Sequence, residues 1–243
     1  MSIVVAVALR AWGLVISDTR VTVTAEDGQL LQLDSGATSI GLPNGNHLEV
    51  PARYRKLFPL SGGWIGAVAG AYPLVRWSFE RIANAGGTPE EVGRALEEVL
   101  HNTRDRFPDE TMDPHVARYA VLELAEHIKL RILWQDGTEA VRTPVEYALM
   151  LPPELDVGVN QRLQSQFLTS LQQASVTGSY GLAVAAKSAM GVVRTVAATC
   201  ASVSDRVEIG VLLRGGRRGY MSGEAQVLAG QDAVSLTEAF EWL

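Results

Sequence analysis

The 243-residue sequence holds a single cysteine, Cys200, which excludes an intrachain disulfide framework and a multi-thiolate zinc site. It has no excess of basic charge. Its 21 Lys and Arg face 27 Asp and Glu, and the net charge of −6 argues against nonspecific nucleic-acid binding. No apolar run reaches the roughly 18 residues that a membrane span needs. The opening Met1-Ser2-Ile3-Val4-Val5 lacks the basic start and long apolar stretch of a secretory signal. A soluble, cytoplasmic protein without membrane or nucleic-acid partners is expected. Also missing are a P-loop ending in Gly-Lys-Ser/Thr, a His-Glu-x-x-His pair, an EF-hand loop and a Gly-x-Ser-x-Gly elbow. The four histidines, His47, His101, His115 and His127, are scattered and none stands at ligand spacing from another. No metal and no organic cofactor are expected. Cys200 follows a stretch of small apolar residues with nothing basic nearby, so it reads as a buried structural thiol.

What is present is a chain long enough to bury a layered core without staples. Residues 3–9 are continuously apolar and β-branched, as a strand buried on both faces should be, and residues 14–17 read as its hairpin partner. Residues 24–50 are rich in turn markers (Asp27-Gly28, Ser35-Gly36, Asn44-Gly45) and read as an insertion or extra hairpin. Residues 56–60 and 64–70 form a second expected hairpin. Two helices are expected next, near 72–84 and from the capping box Thr88-Pro89-Glu90-Glu91 to Pro108. Strands follow at 119–123 and 128–134, then helices at about 159–174 and 181–200, then a strand at 208–213. No linker or low-complexity segment divides these blocks. One domain spanning 1–243 is expected, of α+β class, with helices outside stacked sheets.

The chemistry concentrates in Ser2, Asp18, Arg20 and Lys56. Removal of Met1 would leave Ser2 with a hydroxyl and a free α-amine. The pKa of an α-amine, near 8, lets it accept the hydroxyl proton, so nucleophile and base reside in one residue. The hairpin returns Asp18 beside the chain start, and a buried Lys56 ammonium would lower the hydroxyl's pKa by its charge. Each residue also has a plainer reading: a strand-edge charge at Lys56, for instance, discourages aggregation.

Ser2 and Asp18 stand sixteen apart, within Ser-Ile-Val-Val-Ala-Val and Val-Ile-Ser-Asp-Thr-Arg, and Lys56-Leu57-Phe58 precedes Ile65-Gly66-Ala67-Val68-Ala69-Gly70-Ala71. This ordered set resembles the proteasome β-subunit and its bacterial homologues, which are N-terminal-nucleophile (Ntn) hydrolases; the likeness covers about residues 2–84. The resemblance implies a four-layer αββα sandwich and Ser2, Asp18 and Lys56 as catalytic residues. It further implies the Ala67 backbone N–H as oxyanion donor, with Arg20, Ser179 and Ser202 in support. Serine replaces the family's usual threonine, and Ala67 replaces the glycine at the oxyanion position. The family's Gly-Ser-Gly and Asp-x-x-Ser are not reproduced. Gly158-Val159-Asn160 or Gly178-Ser179-Tyr180-Gly181 stands in for the first, and Cys200 to Asp205 occupies the place of the second. The implied function is cleavage of peptide or other amide bonds inside a ring-type homo-oligomer, on a peptide or protein substrate, without cofactor; an ATPase partner is unidentified. Two alternatives stay open: a non-catalytic ring scaffold, disfavoured because such subunits carry an extra amino-terminal helix, and a small-molecule amidase or acyl-transfer enzyme using Ser2.

Overall fold

The computed structural model describes residues 2–24, 30–33, 39–41, 47–49, 56–60, 64–70, 94–95, 98, 117–134, 139–142, 146–176 and 180–242. The strands are β1 (Val4–Ala8), β2 (Trp12–Asp18), β3 (Val21–Thr24), β4 (Leu30–Leu33), β5 (Ser39–Gly41), β6 (His47–Glu49), β7 (Leu57–Leu60), β8 (Trp64–Gly70), β9 (Ala117–Leu124), β10 (Ile128–Trp134), β11 (Glu139–Arg142), β12 (Glu146–Met150), β13 (Arg206–Leu213), β14 (Arg218–Glu224) and β15 (Glu241–Trp242). The helices are α1 (Val157–Val176), α2 (Gly181–Ala197), α3 (Ala225–Gly230) and α4 (Ala233–Glu238). Two antiparallel sheets carry the fold. One has six strands in the order β12-β1-β2-β13-β14-β15, the other five in the order β11-β10-β9-β8-β7.

The side-chain period of two explains how β1 serves both its faces. Ile3, Val5 and Val7 point into a core shared with α1 and α2, while Val4, Ala6 and Ala8 point into a second core between the sheets. A strand with apolar groups on both sides has no solvent face, and β1 accordingly sits inside its sheet, paired to β12 and β2. In α1 the buried Leu163, Phe167, Leu171 and Ala174 recur at helical spacing. Its first turn is capped by Asp156, whose Oδ1 accepts the Gly158 and Val159 N–H groups at 2.9 and 3.1 Å. In α2 the small residues Ala183, Ala185, Ala186 and Ala189 are all buried, which lets this helix lie close against both α1 and the sheet.

The intersheet space is narrow for a specific reason. A Cβ at Gly13 would stand 2.9 Å from both Ile128 Cγ2 and Leu122 Cδ1, and one at Gly210 would stand 2.9 Å from Ile65 Cγ2. Each glycine belongs to the six-stranded sheet and each clashing side chain to the five-stranded one, so the two glycines set how closely the layers approach.

Helices, sheet and sheet thus make a mixed α+β fold. The expected hairpins at 3–17 and 56–70, the strands at 119–134 and the helices in the later half all form. Two small antiparallel pairs, β3 with β4 and β5 with β6, lie within residues 21–49, overlapping the expected 24–50 insertion, and among the described residues neither joins a large sheet. The helices expected at 72–84 and 88–108 fall outside the described residues, apart from Arg94, Ala95 and Glu98, which are helical.

Candidate active site

β2 ends where it carries the most polar work. Asp18 is fully buried at its last position, and both carboxylate oxygens are occupied. Oδ1 accepts the Ile3 N–H at 3.0 Å and the Lys56 ammonium at 2.9 Å; Oδ2 accepts the Arg20 N–H at 3.0 Å and, more loosely, the Ser204 N–H at 3.5 Å. The Ile3 N–H belongs to the peptide joining it to Ser2. One carboxylate oxygen therefore holds both the lysine and the peptide bond of the proposed nucleophile. Ser17 Oγ, 3.2 Å from the Ile3 carbonyl and 3.1 Å from the Asp18 carbonyl, can donate to either and fastens the same corner. Ser2 itself, two residues before β1, is buried at 7% exposure, where serine is uncommon.

Lys56 is also buried, immediately before β7. Burial pushes its pKa below the ordinary lysine range, because a low-dielectric site penalises the charged form; Asp18 first and Glu208 second oppose that push. The Lys56 carbonyl accepts the Val68 N–H at 3.1 Å, which pins the lysine's backbone to β8.

Ser2, Asp18 and Lys56 are thus brought to one buried corner. Arg20 reaches elsewhere: Nη1 donates to the Ala201 carbonyl at 2.9 Å and to the Val203 carbonyl at 3.2 Å, tying the end of β2 to the loop before β13. Ser202 donates its hydroxyl to the Glu154 carboxylate. Ser179 and Met1 lie outside the described residues. Ala67 lies inside β8, paired with Leu57 on one side and Ala120 on the other. Since Val68 gives its N–H toward β7, the alternation of an antiparallel ladder turns the Ala67 N–H toward β9. It therefore runs along its own sheet, toward Ala120. Cys200 is buried, and burial pushes its thiol pKa up, which makes it a poor nucleophile.

Four contributors were missed from sequence: Ser17, Ser204, Glu208 and Tyr220. Glu208 left a visible signal, a carboxylate inside the apolar run Val207–Leu213. Ser204 left none, because its part is played by a backbone N–H. Among the described residues no three His, Cys, Asp or Glu side chains are grouped to hold a metal ion. No helix among them is long and apolar enough to cross a membrane.

Fold and site define a layered α+β protein with a buried serine, a carboxylate and a lysine at the head of a central strand pair. No family model matches the chain, and no curated protein matches it in sequence. Solved structures do. The chain is similar to "Anbu (ancestral beta-subunit) from Yersinia bercovieri", at 14% identity and a TM-score of 0.54 over 87% of this chain and 81% of that one. It is also similar to "Anbu from Hyphomicrobium sp. strain MC1", at 13% identity and a TM-score of 0.56 over 98% and 92%. At such identities the likeness is one of fold. It also corrects the resemblance drawn from sequence: these neighbours are ancestral beta-subunits, so the tie to proteasome β-subunits and their bacterial homologues is only a loose one.

Proposed function

We propose that the chain is an N-terminal serine hydrolase of peptide or other amide bonds, active once Met1 has been removed. The observation that carries this reading is the single Asp18 oxygen that holds both the Ser2–Ile3 peptide and the Lys56 ammonium. A serine kept only for packing has no need of a buried ion pair on its own peptide bond. In this reading the Ser2 hydroxyl attacks the substrate carbonyl. Its proton passes to the Ser2 α-amine through a water and is then given to the leaving amine; water afterwards releases the acyl group by the reverse sequence. Lys56 stabilises the developing alkoxide, and Asp18 orients Lys56. Arg20 braces the strand end and does not react.

The same reading takes residues 1–243 as one domain of the αββα sandwich type. It takes the active form to be a ring-type homo-oligomer in the cytoplasm, acting without cofactor.

The test is turnover of a fluorogenic peptide and ester panel by protein whose intact mass shows Met1 removed. Ser2→Ala, processed to the same terminus, is expected to abolish turnover. Undiminished turnover in that variant would place the nucleophile elsewhere.

A further inference from the structure

Glu208 is a buried carboxylate in a strand whose other interior positions are apolar. Its neighbours in register, Val207 and Ile209, face the helices, so Glu208 faces the intersheet space together with Gly210 and Leu212. Both of its oxygens have defined donors. Oε1 accepts the Tyr220 hydroxyl at 2.9 Å, from the adjacent strand β14. Oε2 accepts the Leu57 N–H at 3.3 Å, from the opposite sheet. The carboxylate thus spans the two layers and grips the residue that follows Lys56. A neutral acceptor would satisfy the Leu57 N–H at far lower desolvation cost, so hydrogen bonding alone does not account for a charge here. The ammonium next along the chain does.

We propose that Glu208, oriented by Tyr220, is a positioning residue for Lys56: it fixes the start of β7 and supplies a second negative charge to the ammonium. Its catalytic consequence rests on the hydrolase reading above; its action on Lys56 does not. Among the described residues, three charged groups act on Lys56 from the elements around it. Asp18 on β2 and Glu208 on β13 favour the ammonium, and Arg20, after β2, opposes it.

The experiment is an NMR titration of the full chain labelled at the lysine ζ-nitrogen, comparing the parent with Glu208→Gln. The glutamine keeps both contacts, its oxygen accepting from Leu57 and its amide donating to the Tyr220 oxygen, and removes only the charge. The Lys56 midpoint is expected to fall in the variant. Where the panel shows turnover, kcat should fall with KM unchanged, and the alkaline limb of the pH–rate profile should shift in the same direction. A Lys56 midpoint that stays or rises overturns the proposal. Should Glu208→Gln fail to fold, the Glu208 carboxyl carbon of the parent is followed instead. It must inflect at the Lys56 midpoint, and the lack of an inflection overturns the proposal equally. Loss of the hydrolase reading through Ser2→Ala would leave this titration result standing.

Discussion

Asp18→Asn is nearly isosteric, yet it should be among the costliest single substitutions in the molecule. The aspartate receives four N–H donors, two on each oxygen, at 2.9 to 3.5 Å. An asparagine has one accepting end and one donating end. With the amide oxygen in the Oδ1 place, Ile3 and Lys56 keep an acceptor, but the Arg20 and Ser204 N–H groups then face an NH2. The other orientation instead sets the Ile3 N–H and the ammonium against it. In either pose Lys56 loses its first charge partner while remaining buried. Leaving one member of a buried pair alone costs about 3–5 kcal/mol. An orphaned backbone donor costs roughly 1–3 kcal/mol and overlaps with that figure through relaxation. The expected loss is therefore about 3–5 kcal/mol, a large part of the roughly 5–15 kcal/mol that holds a domain together. Urea unfolding followed by tryptophan fluorescence would read it directly. Lys56→Met in the Asp18→Asn background should recover at least about 1 kcal/mol relative to additivity, since the stranded charge is gone. A loss below about 1 kcal/mol for Asp18→Asn, with additive behaviour in the double variant, would refute the reasoning that Asp18 organises this corner.

Two further outcomes follow from geometry and charge. Gly210→Ala places a methyl 2.9 Å from Ile65 Cγ2 and 3.1 Å from Leu57 Cδ2, so it should lower stability by about 1–3 kcal/mol in the same unfolding assay; a neutral or stabilising result would show that the sheets part without cost. Lys56, whose folded pKa lies below the ordinary 10.5, makes the unfolded chain the better proton binder between those two values. Unfolding free energy should accordingly rise with pH from the folded Lys56 pKa up to the ordinary 10.5, relative to Lys56→Met, and parallel pH profiles for the two proteins would contradict this.

The strands and later helices could be read from sequence because their periodicities are strong. Val4–Ala8 is apolar on both faces, and Leu163, Phe167 and Leu171 mark one helical stripe. The strands β12 and β14 were not read, because their patterns mix charge with apolar residues and their pairing comes from distant partners rather than local preference. Asp18 stood out by its spacing to Ser2 and Lys56 by opening the Lys-Leu-Phe strand, and the two do meet as a buried ion pair. The direction of the Ala67 N–H was not legible, because it depends on ladder register, which a single strand's sequence does not encode. Ser204 and Tyr220 were illegible for a related reason: each acts across a fold contact, and nothing around them in the chain distinguishes them from surface residues.

The strand order β12-β1-β2-β13 has a temporal consequence. The hairpin that holds Ser2 and Asp18 is flanked on one side by residues near 150 and on the other by residues near 207. Asp18 completes its coordination with Ser204, 186 positions further on. A ribosome would therefore have to release about four-fifths of the chain before the corner around Ser2 could close. Such distant closures are slow to find, and until they form the hairpin shows bare edges on both sides. Should the corner be catalytic, its assembly would act as an interlock: the nucleophile gains its buried lysine only after the rest of the sheet has arrived, and an unfinished chain would carry the serine without the means to use it.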